Sequence, residues 1–383
     1  MKAWILDRSR LTDLRLLSGM AFPVIAALAL CGFRAAGVAG CVVLGALACR
    51  AVLIRLRSLH VPLSQLSLCV QSILLSLLLP ATLFDLDRAV LDPYSRWPLA
   101  AAAGVLLALV TWGVSQAQTA RFSPLVLTAL AIGAVGARWN YVDRVLVRQQ
   151  VFTGDLLSER VAERPTSTAE PWLTAPPEPG AAVWQIAPAT RRLNDYLHGK
   201  PPSDRSARTV ARLVSDELPP LEDLVIGGHP RRSGSASGIA VIVGGLFLIY
   251  RRLTNFRVPV LMVVTMLACL LLLPVPVVVG QEEIVRRWLA ASDPSVGWAT
   301  GLIFAQYILF ASPAMLVTFF LAAQPGIRPL GTRASVVFAV FFGTLAAVAT
   351  LFVSVEHGPV IALAIAQFFT PSIDRRVVDR PAI

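Results

Sequence analysis

Charged residues are scarce in this chain, and that scarcity excludes the usual soluble folds. Of its 383 residues, 15% are charged and 56% are hydrophobic, and the mean hydropathy is +0.67. A soluble protein carries about 25% charged residues. Because so few charges cannot cover a surface in water, lipid must cover it. The composition predicts an all-α polytopic membrane protein.

Histidine and cysteine are also few, which argues against a catalytic or metal centre. The four histidines lie at or beyond the ends of apolar runs, and none of the five cysteines belongs to a Cys-x-x-Cys pair. An iron–sulfur cluster requires a set of clustered thiolates. No Ser-His-Asp or Cys-His set can be assembled either. We therefore predict no metal site and no catalytic residue, and we reject hydrolase chemistry.

Positive charge is plentiful, with a formal net charge of +11, but its placement does not indicate a nucleic-acid interface. The arginines stand at the ends of apolar runs and form no basic face interleaved with aromatic residues. Arginines at such ends set the orientation of helices and meet anionic headgroups. The expected partner of these residues is the lipid bilayer, and no nucleic acid is expected.

Ten apolar runs are long enough, or nearly so, to cross a hydrocarbon layer of about 30 Å. They cover roughly 17–33, 36–54, 63–84, 98–118, 122–137, 236–250, 257–280, 298–323, 334–353 and 357–372. Arginine is concentrated in alternate loops, which predicts cytoplasmic N- and C-termini in a bacterial plasma (inner) membrane. The predicted regions are a first membrane half at 1–137, an outside segment at 138–235, a second membrane half at 236–374 and a cytoplasmic tail at 375–383.

A weak internal repeat joins the two membrane halves. Ser123 and Pro124 precede one apolar run, and Ser312 and Pro313 precede another in the opposite half. This placement favours two inverted five-helix repeats, whose shared site would lie near the middle of the membrane. The outside segment between them is rich in proline and charge, and it contains one amphipathic stretch, "ATRRLNDYLHGK". A linker or small surface domain and a loop that docks a partner both remain open.

The loop "GGHPRRSGSASG" leads into the sixth apolar run. It lacks the Gly-Lys-Ser/Thr ending of a Walker loop, and no strand precedes it. Gly227, Gly228, Pro230 and Gly234 give it its shape. A helix that starts here could hold an anionic group such as a phosphate on its backbone N–H groups. A plain flexible loop that enters a helix is the alternative.

Four stretches resemble the RnfD membrane protein of the Rnf electron-transport complex and its homologue NqrB from the sodium-pumping NADH:quinone reductase. In chain order they are "ARFSPLVLTAL", the run from "DLVIGGHPRRSGSASG" to "YRRLTNFRVPV", the run from "FFLAAQPGIRPLGTR" to "FFGTLAAV", and "EHGPVIALAIAQFFTPSIDRR". Each likeness is loose alone, but their order and spacing make the set specific. The chain is identified as a divergent member of this family.

The resemblance implies an integral membrane subunit of an electron transport complex, coupled to Na⁺ or H⁺ movement. The implied cofactor is a flavin, FMN or riboflavin, and the implied partners are other membrane and cluster-bearing subunits. The family attaches FMN covalently to a threonine, but the best placement of "TSTAEPW" puts Glu170 there. A carboxylate cannot form that phosphoester, so covalent FMN is not expected unless Thr168 or Thr174 substitutes. A non-covalent flavin is the remaining expectation.

Other polar positions of the family pattern are altered as well. Gln324 and Pro325 stand where the family has an Asp-Pro pair, and a glutamine cannot ionise. We expect a flavin or ion pocket between the halves. It would be formed by Gln324, Pro325, Ser123, Pro124 and the loop "GGHPRRSGSASG", called the outer loop because it is predicted to lie outside. Helix breaking and close packing are the alternative role for the prolines. Two further functions stay open, which are a non-redox membrane accessory of a biosynthetic pathway of the enediyne type, and a transporter or channel.

Overall fold

The computed structural model describes both apolar regions of the chain and parts of the segment between them. The described residues are 2–57, 64–79, 97–116, 123–139, 146–148, 173–174, 183–186, 189–198, 210, 213–214, 218–227, 234, 236–279, 283–288, 297–322, 324, 327, 329 and 331–378. Most of the predicted outside segment at 138–235 therefore lies outside the described residues, as does the end of the predicted tail at 379–383.

Five helices form a first group. They are α1 (Lys2–Cys31), α2 (Phe33–Arg57), α3 (Gln65–Leu78), α4 (Trp97–Gln116) and α5 (Pro124–Trp139). Gly32, with φ of 61°, turns the chain from α1 into α2 within a single residue, a backbone conformation that glycine adopts without strain. At the start of α3, the Ser64 hydroxyl accepts a hydrogen bond from the Ser67 backbone N–H at 3.1 Å, as an N-cap residue does.

A second group of helices follows the segment that joins the two groups. It contains α8 (Gly238–Tyr250), α9 (Arg257–Leu272), α10 (Gly297–Ala311), α11 (Ala314–Leu316), α12 (Thr332–Phe352) and α13 (Gly358–Val378). The short α11 continues directly as a π-helical turn, Val317–Leu321. Ser237 caps α8, because its hydroxyl accepts a hydrogen bond from Ala240 N–H at 3.3 Å. Each of the ten predicted apolar runs thus contains helix.

The described part of the joining segment is small and mixed. Strands β1 (Leu146–Arg148), β2 (Leu173–Thr174) and β3 (Val183–Ile186) form an antiparallel sheet in the order β1-β3-β2, and helices α6 (Ala189–His198) and α7 (Leu221–Ile226) follow. The helix α6 confirms the amphipathic stretch expected from the sequence. With these strands the protein is mostly, rather than wholly, helical.

The seventh predicted run, 257–280, was wrong at its end. Helix α9 stops at Leu272, and the chain enters strand β4 (Pro274–Val279), which pairs antiparallel with β5 (Glu283–Trp288). The sequence of β4 is "PVPVVV", and its two closely spaced prolines disfavour a helix, because each lacks the N–H donor and crowds the preceding turn. The valines favour an extended strand. Hydropathy alone did not separate this hairpin from the helix before it.

The helices differ in length, and only some match a bilayer. Within the described ranges, four helical stretches are long and apolar enough to cross a membrane: Leu11–Cys31, Phe33–Arg55, Trp97–Ser115 and Thr332–Phe352. A fifth is obtained if the bent pair of α10 and the helical turns after it counts as one span. Together with the composition, these spans identify a multi-pass membrane protein.

Helix pairing follows a similar order in the two groups. The second and fourth helices of the first group, α2 and α4, pack along each other. So do α9 and α12, which are the second and fourth of the second group when the bent pair α10 and α11 is counted as one helix. The groups meet where α1 packs on α8 and where α5 packs on α13. One continuous apolar core, which includes Met20, Leu74, Phe320 and Phe338, runs through both.

Candidate functional site

Gly227 and Gly234, in the described part of the segment between α7 and α8, pack tightly on both helix groups. Gly227 ends α7 with φ of 119°, and a Cβ at this position would meet the side chain of Leu30 in α1 and lie 2.8 Å from the carbonyl oxygen of Ala236. Gly234 sits where a Cβ would lie 2.6 Å from the Leu77 carbonyl oxygen in α3 and 2.8 Å from Leu316 Cδ2. These two glycines are therefore required by close packing between the groups.

A break in the third helix of the second group lies next to this loop. Helix α10 ends at Ala311, and the Ser312 and Pro313 pair bends the chain by 65° before α11 begins. The Ser312 hydroxyl accepts the Ala314 backbone N–H at 3.3 Å, which satisfies a donor that the break would otherwise leave unpaired. The following π-helical turn, Val317–Leu321, is fully buried. Such turns are rare, and they often mark functional sites.

A glycine pair in α8 receives the π-helical turn. A Cβ on Gly244 would lie 2.9 Å from Phe320 Cζ, and a Cβ on Gly245 would overlap the ring of Phe319. Gly244 also lies against the backbone of Gly19 in α1. The glycines of "VGGLF" thus let two aromatic rings of the broken helix approach the α8 backbone, and they fix the π-helical turn at the boundary between the groups.

Gln324 follows the π-helical turn and closes it. Its Nε2 donates to the Phe320 carbonyl oxygen at 3.1 Å, and its backbone N–H donates to the Leu321 carbonyl oxygen at 3.1 Å. The side chain is partly buried. Gln324 therefore acts as a helix C-terminal partner, where a family aspartate would offer an acceptor and a negative charge.

The other predicted site residues divide into two sets. Ser123 and Pro124 start α5, where the Ser123 carbonyl oxygen accepts from Leu127 N–H and the Pro124 carbonyl oxygen accepts from the Thr128 hydroxyl at 2.8 Å. Their role there is to begin a helix. The remaining predicted residues, Gly228, Pro230, Pro325 and Thr168, lie outside the described residues.

The two Ser-Pro pairs do not occupy equivalent places, which corrects one argument from the sequence. Ser123 and Pro124 begin the fifth helix of the first group, whereas Ser312 and Pro313 break the third helix of the second group. A repeat that superposes five helices on five would not align them. Proline serves as a first helical residue in one case and as a helix breaker in the other.

Two long-range hydrogen bonds fasten the joining segment to the second group. The Tyr307 hydroxyl of α10 donates to the Pro219 carbonyl oxygen at 2.7 Å, and Val355 N–H donates to Asn194 Oδ1 of α6 at 2.8 Å. In addition, the ring of Tyr196 makes an edge-on contact with Phe304, with centroids 6.3 Å apart. The joining segment is therefore docked against the second group at these points, next to the broken helix.

The sequence interpretation missed several buried polar side chains. Among the described residues, the Ser72 hydroxyl in α3, the Thr111 hydroxyl in α4 and Gln367 Oε1 in α13 are buried without a hydrogen-bond partner. A buried polar group without a partner is costly, and in a native structure it calls for an explanation such as a bound water, ion or ligand. The signal in the sequence that points to such buried polar side chains is a single polar residue inside an apolar run.

Little in the described residues fits a flavin phosphate or a metal. No group of three His, Cys, Asp or Glu in the described ranges could hold a metal ion. The space around Gly234, which a phosphate cradle would need, is filled by Leu77 and Leu316. At Gly234, the described part of this loop leaves no room for a phosphate group on the side that a Cβ would occupy.

Comparison with known proteins adds to this geometry. The sequence profile of the NQR2, RnfD, RnfE family matches residues 163–382, which include α6 to α13. The chain is also similar to the D component of the Na(+)-translocating ferredoxin:NAD(+) oxidoreductase complex of Acetobacterium woodii, with 23% identity over 147 residues. That alignment covers 38% of this chain and 37% of the relative. The stretch "ARFSPLVLTAL", which also resembles the family, lies before the matched residues.

Proposed function

Because the chain belongs to the NQR2, RnfD, RnfE family, we propose that it is an integral membrane subunit of an electron transport complex of the Rnf type or of the NADH:quinone reductase type. The observation that carries this proposal is the profile match over 163–382, since it includes the whole second helix group and its broken helix. The name of the similar Acetobacterium woodii protein supports the same assignment. The partners under this proposal are the other membrane and cluster-bearing subunits.

The proposal includes ten membrane-embedded helices in two inverted five-helix repeats. The shared pairing order supports it, because the second and fourth helices of each group pack along each other. Helices shorter than a bilayer, such as α3 and α8, are compatible with a membrane protein when other helices or a cavity surround their ends. The proposed location is the bacterial inner membrane with both termini in the cytoplasm, as the arginine distribution favours.

A flavin held without a covalent bond is part of the proposal. Glu170 stands at the place that the resemblance gives to the flavin-bearing threonine, and a carboxylate cannot carry a phosphoester. The unpartnered polar atoms of Ser72 and Gln367 support a ligand inside the helix bundle. Ion coupling is proposed on the resemblance alone, and Gln324 cannot supply a titrating group to it.

The decisive experiment is an absorption and fluorescence spectrum of the protein, purified in detergent together with its partner subunits. The expected result is a flavin spectrum that passes into the supernatant on acid precipitation. Colour that stays with the pellet would contradict the non-covalent assignment, and mutation of Thr168 and Thr174 would then identify the attachment. A colourless complex after flavin supplementation would overturn the flavin part of the proposal.

Co-purification tests the wider assignment independently of the flavin. A tagged chain is expected to retain subunits that carry iron–sulfur clusters, visible by their absorption and by mass spectrometry. If the chain instead purifies alone and its vesicles transport a solute without any redox partner, the transporter alternative is correct. If it purifies with biosynthetic enzymes and no cluster protein, the accessory alternative replaces the proposal.

A further inference from the structure

The turn between α8 and α9 presents three arginines and two aromatic rings to its surroundings. Arg251, Arg252 and Arg257 are exposed, and so are Tyr250, at 80%, and Phe256, at 56%. The Arg257 guanidinium lies 5.9 Å from the centroid of the Phe256 ring. The residues Tyr250 to Arg257 are called the α8–α9 turn below.

The three guanidinium groups have no acidic partner in the described part of the chain. Arg251 and Arg257 contact aromatic rings, and among the described residues no ion pair or further hydrogen bond involves any of the three side chains. The turn itself, "YRRLTNFR", contains no acidic residue. Three cations on one short turn without a counter-charge favour the binding of an anion.

Two apolar stripes lead to this turn from both sides. On α8 the exposed apolar residues are Ile239, Val243 and Leu246, followed by Tyr250. On the other side of the turn, Phe256 stands just before α9, and Val260, Val264 and Leu272 lie on that helix. Residues three and four apart share one face of a helix. In a bilayer these faces meet the hydrocarbon, so the aromatic pair lies at its edge and the arginines lie at the level of the headgroups.

The lengths of the two helices strengthen this placement. Helix α8 has 13 residues and α9 has 16, which correspond to about 20 Å and 24 Å at about 1.5 Å per residue. Both are shorter than a hydrocarbon layer of about 30 Å. A helix that is too short for the layer is accommodated by local thinning and by long cationic side chains that reach the headgroups.

Backbone hydrogen bonds fix the first half of the turn, which sets the positions from which the side chains of Arg251 and Arg252 leave the chain. Leu253 N–H donates to the Leu248 carbonyl oxygen at 3.0 Å, and Arg252 N–H donates to the Ile249 carbonyl oxygen at 2.9 Å. This is the hydrogen-bond pattern of a Schellman motif, whose left-handed position is usually glycine. Here Arg252 occupies that position with φ of 57°. A cation therefore stands where the backbone alone would favour glycine.

We propose that the α8–α9 turn binds the phosphate headgroup of an anionic phospholipid. The guanidinium groups of Arg251, Arg252 and Arg257 donate hydrogen bonds to the phosphate oxygens, and the rings of Tyr250 and Phe256 lie against the upper part of the acyl chains. An arginine fork matches phosphate geometry and gives charge-assisted hydrogen bonds. None of the residues of this turn belongs to the broken helix.

The test titrates the full chain, in neutral detergent, with short-chain phosphatidylglycerol, and uses phosphatidylcholine as the uncharged reference. The variant R251Q/R252Q/R257Q is expected to weaken phosphatidylglycerol binding about a hundredfold, from about 1 kcal/mol per basic residue and about 1.4 kcal/mol per tenfold change. The matched control R55Q/R333Q/R375Q removes three exposed arginines from other helix ends. Its expected loss is less than about threefold.

One single variant separates binding from folding. Arg252→Gly removes a cation but supplies the residue that the left-handed position favours. It is expected to keep or raise the thermal stability of the chain while weakening phosphatidylglycerol binding about fivefold. The charge-conserving variant R251K/R252K/R257K is expected to keep most of the affinity, with a loss below about tenfold.

Several results would overturn the proposal. One is an equal loss of phosphatidylglycerol affinity in the two triple variants. Another is an equal affinity of the chain for phosphatidylcholine and phosphatidylglycerol, and a third is unchanged phosphatidylglycerol binding in Arg252→Gly. Inorganic phosphate that binds as tightly as phosphatidylglycerol would show a free-anion site in place of a lipid site. A co-purifying polypeptide that the triple variant releases, with lipid binding unchanged, would show a protein interface.

Discussion

The two helix groups pair their helices in the same order but are buried to different extents. The fourth helix of the first group, α4, has 33% of its spanning residues buried, whereas α12, the fourth of the second group, has 56% buried. Helix α6 of the joining segment packs on α10 and α12 of the second group. The second group also contains the broken helix and its π-helical turn.

This difference shows that similar pairing does not make the groups equivalent in structure. In the first group, α2 presents a wide apolar face to the membrane, including Phe33, Leu44 and Val52. In the second group, α12 packs on α9, on α13 and on the docked helix α6. A ligand site needs convergent, buried surroundings, and the second group offers more of them. The profile match covers this second group as well.

The largest effect is expected where the second and fourth helices of each group pack together, and measuring it tests whether this packing stabilises both groups. In α4, a Cβ on Gly104 would overlap the Val42 carbonyl oxygen and lie 2.9 Å from Ala46 N, while a Cβ on Gly343 would lie 2.7 Å from the Met262 carbonyl oxygen. Because backbone cannot yield easily, we expect Gly104→Val to cost about 3 kcal/mol and Gly343→Val about 2 kcal/mol. Apparent melting temperature of the detergent-purified chain is the measurement.

The control for this pair lies on the same helix. Gly113 in α4 has no heavy atom within 4 Å of a built Cβ, so Gly113→Val should leave stability within about 0.5 kcal/mol. If Gly104→Val melts at the same temperature as Gly113→Val, the close approach of α2 and α4 does not stabilise the first group. If only one of Gly104→Val and Gly343→Val strongly lowers the melting temperature, the second–fourth helix packing does not stabilise both groups alike.

A smaller effect is expected at the hydrogen bond that fastens the joining segment to α10. Tyr307 is buried, and Tyr307→Phe leaves the Pro219 carbonyl oxygen without its donor, which should cost about 1–2 kcal/mol. Thermal unfolding with intrinsic fluorescence measures this loss. Tyr250→Phe changes the same hydroxyl on a side chain that is 80% exposed, and it should have no measurable effect. Equal melting temperatures would disprove a stabilising role for the Tyr307 bond.

The contact between α6 and the loop before α13 should contribute about 1 kcal/mol. Asn194→Ala removes the acceptor of Val355 N–H, so amide exchange at Val355 should accelerate about fivefold. Asn194→Asp keeps an acceptor oxygen in the same place and should retain most of the protection. Hydrogen exchange read by mass spectrometry distinguishes the two variants. Unchanged protection in Asn194→Ala would mean that α6 is not held to the second group by this bond.

The smallest effect is expected at Gln324. Gln324→Ala removes the hydrogen bond to the Phe320 carbonyl oxygen, but the side chain is only partly buried, so the loss should stay below about 1 kcal/mol. Gln324→Glu is nearly isosteric and replaces the donor with a carboxylate that faces the carbonyl oxygen, so it should cost more. If Gln324→Glu is the more stable of the two at neutral pH, the donor role assigned to Nε2 is wrong.

Hydropathy predicted where the helices lie. It did not predict where they end, because helix ends depend on the types of the residues found there. All ten apolar runs contain helix, but α9 ends at Leu272 because prolines and valines continue as β4. The ligand role of the candidate site stays a prediction. Gly227 and Gly234 were expected to shape a ligand-binding loop, and the structure adds that they pack closely against Leu30, Leu77 and Leu316. A glycine in a sequence looks the same in both roles.

The sequence by itself determined that the chain is a membrane protein and which family it resembles, because composition and the order of motifs can be read without knowing which distant residues are in contact. Only the tertiary structure decided that the Ser-Pro pairs have different roles, that α6 docks on the second group through Asn194, and that Gln324 closes a π-helical turn. These facts depend on contacts between residues far apart in the chain. Such contacts form when several helices bury their faces together, and no single stretch specifies them.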